Sequence, residues 1–193
     1  MRKIFLCALI VLAVISSAYA AEAKSLILIF SRADENYGVG YITVGNTMKL
    51  AQIIEAKTGA EMFEIKPEKK YPADYETCID VAKKEQNANA RPAFLEDKDI
   101  TEYDTIYFGY PVWWGDIPMC LYTFIEAHDW NGKTIIPFCT SEGSGMGRTE
   151  RTLRSTMKGA KILKGMYVSG SAAQKGGSGV ERSVDRWLKG LGL

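Results

Sequence analysis

Ser25–Ser31 (SLILIFS) is an almost unbroken apolar run, the pattern of a strand covered on both faces. The period changes after Gly45-Asn46-Thr47. Met48, Leu50, Ala51, Ile53, Ile54 and Ala56 recur at helical spacing until Gly59 ends the run. Ala60–Ile65 alternates like a strand. Pro67 to Glu102 is a polar connection with turns at Tyr71-Pro72 and Arg91-Pro92, and Tyr75–Asn87 between them has helical character. The second half is more regular. Thr105–Gly109 reads as a strand, Ile117–Ala127 as a helix, Lys133–Thr140 as a strand and Arg148–Met157 as a helix. Lys161–Val168 follows as a strand and Val180–Leu188 as a closing helix, with the Gly/Ser-rich Ser169–Gly179 as a surface loop between them. Strands that alternate with helices predict an α/β fold: five parallel strands, doubly wound in three layers.

Ahead of the first strand the pattern is of another kind. Arg2 and Lys3 precede an apolar stretch, Ile4–Ile15, and then the small-x-small site Ala18-Tyr19-Ala20. This is the layout of a cleaved export signal, too short to span a bilayer, and no later segment is long enough either. Residues 1–20 are therefore expected to be removed, residues 21–193 to form one domain, and the mature chain to be periplasmic or secreted. Without Arg2 and Lys3 the chain has 22 basic against 23 acidic residues, a net of −1. No basic patch argues for nucleic acid, and no acidic block for a charge-steered partner. At 47% hydrophobic and 24% charged residues the composition is globular. The cysteines past the signal, Cys78, Cys120 and Cys139, are odd in number and contain no Cys-x-x-Cys, so a dithiol or zinc reading has no support.

Candidate chemistry lies just past the ends of three strands, the edge at which ligands bind to an open α/β sheet. After the first strand come Ser31 and, beyond Arg32–Val44, Gly45-Asn46-Thr47 at a helix start. Free amides and hydroxyls there suit a phosphate, although Asn46 or Thr47 could equally be a plain N-cap. After the third strand comes Gly109-Tyr110-Pro111-Val112-Trp113-Trp114-Gly115-Asp116-Ile117-Pro118. Two adjacent tryptophans on a loop suit a flat aromatic ligand, or else plug the core beneath a crossover. After the fourth comes Thr140-Ser141-Glu142-Gly143-Ser144-Gly145-Met146-Gly147-Arg148, whose glycines allow backbone to approach a ligand. Rival motifs are weaker. Gly143–Gly147 follows the wrong strand for a dinucleotide loop. The single histidine, His128, reads as a surface or helix-end residue, which leaves no Ser-His-Asp hydrolase site. Arg148, Arg151 and Arg154 are at helical spacing after the late loop and read as a solvated face, although Arg148 could touch a cofactor or substrate.

In order and position these segments (IFS…GNT, GYPVWWGDIP, FCTSEGSGMG) resemble the flavodoxin family, across essentially all of residues 25–190. The resemblance implies a flavodoxin-like three-layer α/β/α sandwich with strand order 2-1-3-4-5 and FMN bound at the switch point. It implies phosphate contacts from Ser31, Asn46 and Thr47, with Trp114 stacked on the flavin ring and Gly115 beside its N5. Pro111, Val112 and Trp113 would complete that loop, and Thr140, Ser141, Glu142, Gly143 and Gly145 would form the other wall. Two departures stand out. Val44 replaces a usual hydroxyl, so a further phosphate ligand would come from Arg32, Tyr37 or Thr43. The late loop also lacks the tyrosine that covers the flavin's outer face and offers only Met146. An uncovered face favours an FMN oxidoreductase working with NAD(P)H or a quinone. The family at large favours an electron carrier between redox proteins, and a flavin-free binding module on the same fold is a third reading.

Overall fold

The computed structural model describes residues 24–193; the predicted signal peptide lies outside the described residues. The elements in chain order are β1 (Ser25–Ile29), β2 (Asp34–Asn36), β3 (Gly40–Ile42), α1 (Asn46–Thr58), β4 (Glu61–Glu64), α2 (Tyr75–Asn87) and β5 (Thr105–Pro111). There follow α3 (Met119–Glu126), β6 (Thr134–Thr140), α4 (Thr149–Thr156), β7 (Lys161–Ile162), β8 (Met166–Val168), α5 (Gly170–Lys175) and α6 (Ser178–Leu191). The main sheet runs β4-β1-β5-β6-β7, with β8 also on β6, and every pairing in it is parallel. Counting β7 and β8 as one edge strand, this is the expected order 2-1-3-4-5.

Alternation along the strands creates two cores. Leu26, Leu28, Ile106, Phe108 and Ile135 face α3 and α4, where they meet Cys120, Leu121, Phe124 and Leu153. Ile27, Ile29, Tyr107, Ile136 and Phe138 face the opposite way, onto Leu50, Ala51 and Ile54 of α1 and Val180, Val184 and Leu188 of α6. Both faces of the central strands are covered, which is why their sequences are continuously apolar. Helix α2 starts sharply because the Asp74 carboxylate accepts from the Thr77 amide at 2.7 Å.

Three segments differ from the sequence expectation. Arg32–Val44 contains an antiparallel hairpin, β2–β3, paired Glu35↔Tyr41. Its strands are too short and polar to register as a period-2 pattern. Lys161–Val168 is two strands rather than one. Ile162 pairs with Ile135 and Met166 with Phe138, so the edge spends one residue more than β6 and breaks in a bulge. Ser169–Gly179 is not all loop. Ser169 accepts from the Ala172 amide at 3.1 Å and caps α5, which buries Ala173. Packing there overrides the low helix propensity of Gly and Ser.

Candidate functional site

The carboxyl ends of β1, β5 and β6 open into one cavity of about 270 Å³. Its walls include Arg32, Asn46, Thr47, Pro111, Val112, Trp113, Trp114, Thr140, Ser141 and Glu142, all singled out from the sequence. Ser31, Gly115, Gly143 and Gly145 stand behind or beside these residues and do not line it. The sequence reading missed Asn36, Tyr75, Cys78, Ile79, Ala82 and Ser144 as wall residues, and it named Tyr37 only as a phosphate ligand. The one available signal was the helical pattern of Tyr75–Asn87, which says nothing about where that helix docks.

At the floor, Ser31 Oγ accepts from the Met48 amide at 3.0 Å and so caps α1 from outside the helix. Gly45, the N-cap residue, makes no side-chain cap of its own. A Cβ at Gly45 would run into Ser31 Oγ and stand 2.6 Å from the Arg32 carbonyl oxygen, so only glycine lets the two segments cross. The amides of Asn46 and Thr47, in the first turn, have no acceptor among the described residues and lie at the positive end of the helix dipole. That arrangement fits an anion. The Thr47 and Thr140 hydroxyls are buried and 2.8 Å apart, which ties the first segment to the third. Gln174 Nε2 donates to Asn46 Oδ1 at 2.9 Å and to the Val44 carbonyl at 2.8 Å, so α5 fixes the start of α1.

The tryptophan loop is a tight turn. Trp113 and Asp116 exchange both backbone hydrogen bonds, at 2.8 and 3.0 Å. Trp114 and Gly115 between them have φ of 51° and 77°, the pattern of a type I′ turn. A tryptophan in left-handed backbone is strained, and its surroundings hold it there. The indole Nε1 donates to the Ile79 carbonyl of α2 at 3.0 Å, and Lys83 Nζ sits 4.8 Å from the ring centre. The Gly115 carbonyl accepts from the Arg148 amide at 2.8 Å. The buried Asp116 carboxylate accepts from the Ile117 amide, Thr152 Oγ1, Tyr122 OH and Arg148 Nε, all within 2.9 Å. The two tryptophans have separate fates. Trp113 packs edge-on against Phe30 and Tyr71, with ring centres 5.4 and 4.8 Å away, whereas Trp114 is 47% exposed on the cavity wall.

In the late loop, Ser141 Oγ donates to the Gly145 carbonyl at 3.0 Å, and the Glu142 carboxylate accepts from the Ser171 amide at the start of α5. Met146 does not face the cavity, contrary to the sequence expectation. Its side chain packs against Gly165 and the core beneath, filling space under the bulge in the edge strand. The hairpin is fastened to α2 instead. The Arg32 guanidinium donates to the carbonyls of Glu35, Pro72 and Ala73, the Glu35 amide to the Ala73 carbonyl, and the Tyr75 amide to Glu35 Oε2. These bonds commit most of the Arg32 donors.

The three thiols are buried and held in the protonated, weakly nucleophilic form. Burial lifts Cys78 above its ordinary value, and Cys120 and Cys139 up to about 12, so all three stay protonated and free. His128, just past the end of α3, stacks on Phe124 at 4.2 Å and lies 3.1 Å from an Asp97 oxygen, with its Nδ1 on the Phe124 carbonyl. Among the described residues no cluster suits a metal ion, and no helix is long and apolar enough to cross a membrane. The site is a cavity with a floor whose free amides suit an anion and with flat aromatic walls.

The sequence matches the family model described as Flavodoxin over residues 37–187. Among solved structures the chain is similar to a flavoprotein from Bacteroides uniformis. The two share 30% identity over 84% of this chain and 98% of that one, with a TM-score of 0.66. A flavoprotein from Bacteroides eggerthii gives 29% identity over 80% and 95% of the two chains, with a TM-score of 0.65. A flavoprotein in complex with FMN from Lactobacillus acidophilus gives 24% identity over 80% and 98%, with a TM-score of 0.59. No curated protein matches.

Proposed function

The chain belongs to the flavodoxin family, and on that ground we propose that it is an FMN-dependent reductase serving a small, flat aromatic acceptor such as a quinone. FMN is its cofactor, and the residues present fit it. The free amides of Asn46 and Thr47 would hold the phosphate, with Ser31 and Gly45 shaping the turn around it. Trp114 and the backbone of Thr140–Glu142 would border the flavin ring. Bound there, the flavin supplies the redox chemistry. The protein's share is to orient the ring, exclude water and limit access.

The observation that carries the reductase reading is the recessed cavity. The hairpin and α2 raise a wall beyond the tryptophan loop, so an acceptor enters a pocket rather than meeting an exposed ring edge. The near-zero net charge agrees, since a carrier that finds protein partners by diffusion gains from a strong field. Export through the N-terminal signal, and reduction of the flavin by NAD(P)H or a redox protein, belong to the same proposal.

The test is direct. Protein purified with FMN available should carry about one flavin per chain, and after reduction it should be reoxidised by soluble quinones at a rate that saturates. A linear, non-saturating dependence on quinone would replace the reductase with the carrier reading.

A further inference from the structure

Of the excursion between Ser31 and Gly45, only its two ends pack at the anion-facing turn: Arg32 beneath Gly45, and Val44, whose carbonyl accepts from Gln174, while Ser31 Oγ caps α1. The rest is nonetheless ordered. Arg32 ties the hairpin to Pro72 and Ala73 just ahead of α2, Glu35 ties it to the Tyr75 amide in the helix's first turn, and its tip at Gly38 reaches the Glu142 side chain of the late loop. The stitching delivers one residue to the cavity mouth in particular. Tyr37 is 65% exposed there, its ring 5.9 Å from that of Tyr75 with the planes 34° apart. An aromatic face left in water at a pocket mouth is free energy available to a ligand that covers it.

Helix α2 extends this surface. Trp114 is anchored on Ile79, and Tyr75 lies one turn earlier on the same helix, about 6 Å along its axis. Trp114, Ile79, Tyr75 and Tyr37 therefore succeed one another along one wall, and the Tyr75–Tyr37 end extends the aromatic surface past the tryptophan. Met146, the large apolar side chain of the late loop, is packed beneath that loop and does not cover this end. We propose that Tyr37 and Tyr75 form the acceptor subsite, a stacking platform that selects a flat, neutral aromatic acceptor and holds it beside the cofactor. This rests on the reductase reading given above. The two tyrosines determine specificity, and the hairpin and α2 are the devices that position them.

The test is equilibrium binding of 2-methyl-1,4-naphthoquinone to the oxidised, FMN-loaded protein, where no electron moves, read from perturbation of the bound flavin's visible absorption. Tyr37→Ala and Tyr75→Leu, the latter keeping apolar volume but losing the flat face, should each raise the quinone Kd by about threefold to tenfold. FMN affinity should stay within about twofold, because the stacking lost is the acceptor's. Tyr41→Ala, on the return strand of the hairpin and away from the cavity, should change neither. An unchanged quinone Kd in both variants overturns the subsite while the reductase reading stands. A parallel loss of FMN affinity also overturns it, by assigning the rings to the cofactor. A wild-type protein that binds FMN but shows no saturable quinone perturbation overturns the subsite and the reductase reading together.

Discussion

At the residue scale the two adjacent tryptophans are the clearest contrast. They are neighbours in sequence and both border the cavity, yet the turn gives them different backing: Trp113 packs into Phe30 and Tyr71, whereas Trp114 lies out on α2. Removing a packed tryptophan costs the lost burial and the void it leaves, so Trp113→Ala should cost about 2–4 kcal/mol of stability. FMN affinity, corrected for folding, should hardly move. Trp114→Ala should do the reverse, with little change in thermal unfolding and about a twofold to tenfold loss of FMN affinity. Thermal melts paired with flavin fluorescence titrations decide it. A Trp114→Ala variant that keeps full FMN affinity would move the flavin contact to another wall.

At the element scale the site depends on the joint between the tryptophan turn and the late loop. Gly147 has φ of 55°, and a Cβ placed on it would be 2.5 Å from the Gly115 carbonyl oxygen. That oxygen is backbone and is already engaged by the Arg148 amide, so it cannot swing aside. Gly147→Ala should therefore force the loops apart, lowering both the melting temperature and FMN affinity by more than the usual glycine penalty of about 1 kcal/mol. Gly143→Ala is the comparison. It too lies at positive φ, 91°, but a Cβ there meets nothing within 4 Å, so only the backbone penalty remains. Equal effects of the two substitutions would mean that the joint is not rigid. The buried Asp116, held by Thr152 and Arg148 of the late loop and α4 and by Tyr122 of α3, is the physical reason to expect that it is.

At the scale of the whole molecule, the sheet delivers three chain segments to one edge and leaves the hairpin and α2 to close the fourth side. The proposal that Met1–Ala20 is an export signal is testable at this scale. Expression of the full chain in a Gram-negative bacterium should yield periplasmic protein whose N-terminus, by Edman degradation or mass spectrometry, is Ala21. Uncleaved protein retained in the cytoplasm would remove export from the proposal.

The sequence by itself determined the layers and the three loops at the sheet's carboxyl edge, and its resemblance to the flavodoxin family implied the strand order. The layers and loops follow from local periodicity, from right-handed crossovers and from motifs a few residues long, and each is written in adjacent positions. Ser31, Thr47, Trp114 and Thr140 could be named because each lies just past the end of a recognisable strand or at the start of a recognisable helix. Only the tertiary structure decided the rest. Tyr75, Ile79 and Ala82 become wall residues because Arg32 and Glu35 fasten a hairpin to α2 across some forty positions of sequence, and no local pattern encodes that docking. Met146 leaves the cavity because a bulge in the edge strand opens room at Gly165, a consequence of pairing between β6 and β8. Periodicity tells which face of an element is buried; what is buried against it depends on contacts between elements distant along the chain.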